Sequence, residues 1–125
     1  MALQAFLFKD DKALNACAVR DADHITPGSV GPQVGKLQEA LMFLDGLAIE
    51  NSELAAKRYG PSTASAVLSY KRRRKIINPA YQTQADNIVG IMTIASLDRE
   101  LLARENKVRA SSSVDVRKVA IVRRS

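Results

Sequence analysis

Glycines at 31, 60 and 90 stand 29 and then 30 residues apart, and each opens a stretch with the same register. Three residues on lie Val34, Thr63 and Thr93; six on, Leu37, Ala66 and Ser96; seven on, Gln38, Val67 and Leu97; ten on, Leu41, Tyr70 and Glu100. Offsets of three, six or seven, and ten fall on one face of a 3.6-residue helix. Self-similarity at this period means similar supersecondary units burying one core together. In a chain of 125 residues that core belongs to one domain. The expected fold is all-α, a compact three-helix bundle, with each helix entered through a glycine that lets the chain approach its neighbours closely.

The helices themselves follow from the apolar spacing. Pro32 to Leu44 carries Val34, Leu37, Leu41 and Leu44 on one face, with Pro32 in the first turn, where its missing N–H is not needed. Pro61 to Lys75 begins the same way and turns Val67, Leu68 and Tyr70 inward. Ile91 to Arg104 spaces Ile94, Leu97 and Leu101 a turn apart. Two lesser helices are expected: one over "DKALNACAVRD" with Asp11 near its N-cap, and a short turn over Ser52 to Lys57. "LQAFLF", Leu3 to Phe8, reads as a short strand. "INPAYQTQADN" reads as a loop because Pro79 stops the preceding helix. Ser111 to Ser113 read as a linker, and "VRKVAIVRR" is either a strand beside "LQAFLF" or a disordered basic tail. The chain thus divides into an N-terminal extension (1–27), a helical domain (28–104) and a basic C-terminal tail (105–125).

Charge separates these parts. The net charge is +6, and residues 104–125 alone carry +5. "KRRRK", Lys71 to Lys75, adds five cations at a helix C-terminus, where they suit the negative pole of the dipole. The remainder is acidic, so this is not a uniformly basic nucleic-acid binder; "KRRRK" reads first as a solvated helix end. No apolar run is long enough to span a bilayer, and "MALQAFLFKDD" lacks the basic start of a secretory signal.

No catalytic constellation is visible, and neither a metal nor a cofactor is expected. Cys17, the lone cysteine, sits among apolar residues in "ALNACAV" and reads as a buried structural thiol. His24, the lone histidine, ends "DADH", which reads as a polar turn or cap rather than a cation site. The Gly-Pro pairs are not phosphate loops, since no Gly-Lys-Ser/Thr follows them. Asp86 precedes the third helix and is expected to accept a hydrogen bond from the backbone two or three residues on.

Taken together, "GPQVGKLQEAL", "YGPSTASAVLSY" and "DNIVGIMTIASL" resemble the three helix-opening motifs of the peptidoglycan-binding-like domain, in that family's order, over roughly residues 28–102. The departures are Ala56-Lys57 in place of the family's Asp-Gly, Tyr70-Lys71 in place of Phe-Gln, and Asn87 in place of a glycine. The resemblance implies a non-catalytic module that binds cell-wall peptidoglycan and holds an attached or partner enzyme at the wall; with no partner enzyme and no signal in view, delivery by a secretion or injection system, with this chain as adaptor or cargo module, reconciles the two. The helix-start loops should converge at one end of the bundle, so the expected ligand-binding residues are Arg58, Tyr59, Tyr81 and Asn87. Arg58 offers a fork to a stem-peptide carboxylate, Tyr81 a face to a sugar, Asn87 an amide, and Tyr59 support from below. The alternatives are an intracellular protein-interaction module on the same fold and, more weakly, nucleic-acid binding through "KRRRK" and the tail.

Overall fold

A computed structural model describes residues 2–76 and 86–119. Among them the chain is all-α: α1 (Lys12–Val19), α2 (Pro32–Asp45), α3 (Asn51–Ala56), α4 (Pro61–Arg74) and α5 (Ile91–Val119), with a 3-10 turn at Asp21–Asp23. Two isolated bridges, Ile25 with Val89 and Val30 with Arg58, are the only β-type pairings among the described residues. None of the described helices is long and apolar enough to cross a membrane.

The glycine repeat is realised as a spatial repeat. The residues three, six and seven positions past Gly31, Gly60 and Gly90 are all buried, from Val34 through Leu97. The three helix starts meet at one end of the molecule. Gly31 N donates to Lys57 O at 3.0 Å, Tyr59 N to Ser29 O at 2.8 Å and Ile25 N to Val89 O at 2.8 Å. At the other end Arg74, which closes α4, grips Asp45, which closes α2, and Glu100 on α5. All three helices therefore run in the same sense, and each connector returns the chain to the starting end. A 14-residue helix rises about 21 Å; with a return connector of similar reach, that accounts for a period near 30 residues.

The glycines do different work. Gly31 has φ of 143°, a conformation that favours glycine, and caps α2 just ahead of Pro32. At Gly60 a Cβ would lie 2.6 Å from the Glu53 carboxyl carbon, so a buried side chain sets the need for glycine. At Gly90 a Cβ would meet nothing within 4 Å, so close approach does not explain that glycine.

Apolar residues of the N-terminal extension pack into the core. Leu3, Ala5, Phe8, Leu14, Cys17 and Ile25 join the same buried cluster as Val34, Leu41, Tyr70 and Leu97. The strand expected over Leu3 to Phe8 is instead a set of turns, with Phe8 N and Lys9 N both donating to Ala5 O. Its amides are held by carboxylates of α5. Asp98 accepts from Gln4 N at 3.0 Å and Ala5 N at 2.8 Å, and Glu105 accepts from Phe6 N at 2.8 Å. Asn15 Oδ1 accepts from Leu3 N at 2.8 Å and fixes the turn to α1, whose N-cap is Asp11, as expected, accepting from Leu14 N.

The other half of the expected strand pair begins as helix. Helix α5 continues through Val119, so Ser111 to Ser113 are helical and no linker or strand forms before residue 120. From Ile91 onward the sequence has neither Gly nor Pro, and serine alone is too weak a breaker to end a helix already under way. Residues 77–85, which include most of the loop expected after α4, and 120–125 lie outside the described residues.

Candidate functional site

The helix-start end is built around two buried polar side chains on α2 and α3. Glu53 is 1% exposed. Its carboxylate accepts from Gly60 N at 3.2 Å, Ser62 N at 2.9 Å, Thr63 N at 2.8 Å and the Thr63 hydroxyl at 2.7 Å. It caps α4 from another helix and satisfies amides that Pro61 and Gly60 leave without intrahelical partners. Burial raises its pKa, but the hydrogen bonds from Ser62 and Thr63 outweigh that and hold the carboxyl down at about 2. Gln38 is fully buried beside it, and its Nε2 donates to Arg58 O at 3.1 Å, Thr63 Oγ1 at 3.0 Å and Glu53 O at 3.4 Å. One amide thus pins the 53–63 connector to α2.

On this frame sit three of the four residues expected to bind ligand. Arg58 pairs with Val30 through its backbone, Arg58 N donates to Glu53 O at 3.0 Å, and its side chain is exposed. Tyr59 is buried beneath it, with Tyr59 O accepting from Gly28 N at 2.9 Å. The Tyr59 hydroxyl donates to the carbonyl of Asn87, which joins the second helix-start loop to the third. Burial first, and then the nearby Asp86 charge, push the Tyr59 phenol well above its ordinary range, so it stays protonated as a donor. Asn87 is exposed. Arg58, Tyr59 and Asn87 therefore share one end of the molecule, with Tyr59 supporting the loops from below. Tyr81 lies outside the described residues.

The expected role of Asp86 is seen: its Oδ1 accepts from Ile88 N at 3.1 Å, two residues on. The same oxygen pairs with Lys71 Nζ at 2.5 Å, and Lys71 also donates to Ile88 O at 2.8 Å. The first lysine of "KRRRK" is thus 5% exposed and ties α4 to the loop before α5.

The rest of "KRRRK" is not simply a solvated helix end. Arg74 donates from Nη1 and Nη2 to the two oxygens of Asp45, both at 2.8 Å, and from Nε and Nη2 to Glu100 at 2.5 and 2.6 Å. Its guanidinium lies 3.7 Å from the centre of the Tyr70 ring. The bonds to Glu100 and then to Asp45 raise the Arg74 pKa, and the Arg74 bond lowers that of Glu100. Burial pushes the Tyr70 phenol up to about 12, with its hydroxyl within 2.9 Å of Ser96 Oγ. Arg73 approaches Asp45 at 3.7 Å; Arg72 and Lys75 are exposed. Lys71 and Arg74 thus spend their charge on the chain's own carboxylates, which lowers what the run can offer phosphate.

The Cys17 thiol is buried and donates to Val89 O at 3.3 Å, and burial pushes its pKa up to about 11, away from the thiolate a nucleophile needs. His24 is exposed, and Asp23 beside it is ion-paired with Arg20 at 2.7 Å. Among the described residues no group of three His, Cys, Asp or Glu could hold a metal ion.

Sequence reasoning missed Gln38, Glu53, Asp45, Asp98 and Glu100. One signal for two of them was present. Gln38 aligns with Val67 and Leu97 in the repeat, and Glu100 with Leu41 and Tyr70. A polar residue in a register that is otherwise apolar marks an inward hydrogen-bonding role. No family model matches the chain, nor does any curated protein or solved structure.

Proposed function

We propose that the chain is a non-catalytic binding module for bacterial cell-wall peptidoglycan, with α2, α4 and α5 as the three-helix bundle of a peptidoglycan-binding-like domain. The reading rests on the three helix-opening motifs together with one observation: the loops that carry them meet at one end, where Tyr59 ties the Arg58 loop to Asn87. Arg58 presents a fork to a stem-peptide carboxylate, Asn87 an amide to peptide-like groups, and Tyr81, on the connector before Asp86, a ring to the glycan. One small surface with few aromatics gives weak affinity, micromolar or looser. Placed beside a hydrolase or a delivered cargo, such a module raises the local concentration of its partner at the wall.

Co-sedimentation with purified insoluble peptidoglycan tests this. The wild type is expected to pellet with the polymer, and Arg58→Ala combined with Asn87→Ala to stay in the supernatant with an unchanged circular dichroism spectrum. Equal pelleting by the double variant removes these residues from the site. A folded wild type that never pellets removes wall binding and leaves the alternative, a protein-interaction module on the same fold.

A further inference from the structure

We propose that the cleft between Phe6, Phe43 and Val108 docks a short amphipathic helix of another protein, one whose apolar stripe is flanked by Asp and Glu. The cleft lies at the opposite end from Arg58 and Asn87, and the proposal does not depend on wall binding. Three separate elements supply its floor: the N-terminal turn gives Phe6 at 74% exposure, the end of α2 gives Phe43 at 55%, and α5 gives Val108 at 59%. They enclose about 350 Å³ with Arg104 and Glu105. That is the low end of the range for ligand sites, suited to a few apolar side chains of a docked helix.

Charge selects the occupant. The Lys9 ammonium lies 5.5 Å from the centre of the Phe6 ring, and the Arg104 guanidinium 5.5 Å from that of Phe43. Glu105, the one carboxylate lining the cleft, already accepts from Phe6 N at 2.8 Å and Leu7 N at 3.4 Å. Lys107 on the next turn of α5 is exposed. The floor is apolar, and the cations placed beside its two rings are Lys9 and Arg104, the complement of an apolar stripe between carboxylates. A second copy would bring the same cations from a chain of net charge +6. Single-stranded nucleic acid would instead stack bases on the two rings, and binding of a labelled oligothymidylate without binding to the Glu peptide overturns the proposal in its favour.

The test is fluorescence anisotropy with two synthetic helical peptides that share a leucine stripe at i, i+3 and i+7, one flanked by Glu and one by Lys. The wild type is expected to bind the Glu peptide at least tenfold more tightly. Arg104→Glu should invert that order, and Phe43→Ser with Val108→Ser should weaken the Glu peptide at least fivefold. Arg72→Glu, which reverses an exposed cation on α4, should change neither affinity. These side chains are exposed, and thermal melts establish that each variant is folded. Equal affinity for the two peptides, or an equal loss in Arg72→Glu, overturns the proposal. So does a dimer in analytical ultracentrifugation that Phe43→Ser abolishes, which assigns the cleft to a second copy. Binding to phosphatidylglycerol vesicles without binding to the Glu peptide overturns it too, in favour of a lipid surface.

Discussion

The two ends of this molecule solve the same problem in opposite ways. At the helix-start end the backbone leaves donors exposed by geometry, and the chain answers with buried side chains: Glu53 under α4, Gln38 under the connector, and Tyr59 across to Asn87. Little there can move without leaving a polar group unpaired. At the far end the polar groups form one compact knot, Asp45–Arg74–Glu100, and beyond it Phe6, Phe43 and Val108 remain in water. The first end is tied together by buried hydrogen bonds; the second has apolar surface to spare. A partner meeting the first end must match fixed hydrogen-bonding groups, whereas the second end is matched by shape and charge.

Glu53→Ala should break the contrast most severely. It strips a carboxylate from the amides of Gly60, Ser62 and Thr63 and should lower stability by roughly 3–5 kcal/mol in urea denaturation. Loss of less than about 1 kcal/mol would mean that the helix-start end is not organised around this residue. Leu41→Ala, in the interior that both ends share, should cost roughly 2–5 kcal/mol, since Leu41 is 1% exposed. A near-neutral effect there would undo the α2 packing.

The Glu53 interaction also has a pH signature. Its folded pKa of about 2 lies below the ordinary 4.5, so its contribution is fully present above pH 4.5 and is lost as pH falls through 2. That shift corresponds to roughly 3 kcal/mol. The stability gap between wild type and Glu53→Gln should therefore be widest at neutral pH and narrow steadily between pH 4.5 and 2. A gap constant over that range would deny the charge any role.

At the far end the effects should be smaller. Arg74→Met, which keeps the stem over Tyr70 but leaves Asp45 and Glu100 facing each other, should cost about 1–3 kcal/mol, most of it recovered when Asp45→Asn is added. Absence of that recovery would mean that the knot is not a coupled unit. Phe43→Ser should change stability by no more than about 0.5 kcal/mol, because the side chain is mostly in water. A loss above 1 kcal/mol would show the aromatic to be part of the core rather than surplus to it.

Much of the helical skeleton was legible in the sequence because repetition and periodicity are properties of the chain alone. Val34, Leu37 and Leu41 announce α2, and the registers past Gly60 and Gly90 announce α4 and α5. Asp11 and Asp86 act on backbone two or three residues away, which is why their roles could be read directly. Reading failed where the partner is remote. The amides of "LQAFLF" looked ready for a strand, but they bind Asp98 and Glu105, more than ninety residues later. "KRRRK" looked solvated because Asp45, Asp86 and Glu100 come near it only in the fold. The tail was misread for a different reason: three serines suggested a break, yet no Gly or Pro follows Gly90 to enforce one. Of the residues proposed to bind ligand, Arg58, Tyr59 and Asn87 could be grouped because the repeat placed their loops at equivalent positions. Glu53, which underlies that grouping, belongs to no position of the repeat.

The seam between the N-terminal turn and α5 also fixes a timetable. Residues 3–8 leave the ribosome ahead of the groups that hold their amides, which lie 93 to 99 positions later. At translation rates of about 5–20 residues per second, Leu3 and Phe8 wait on the order of 5–20 seconds for their seat. A chain halted before Asp98 has no means of closing this seam. Residues 3–8 are therefore secured only once α5 has been made, and every nascent copy carries their apolar side chains without that seat until it arrives.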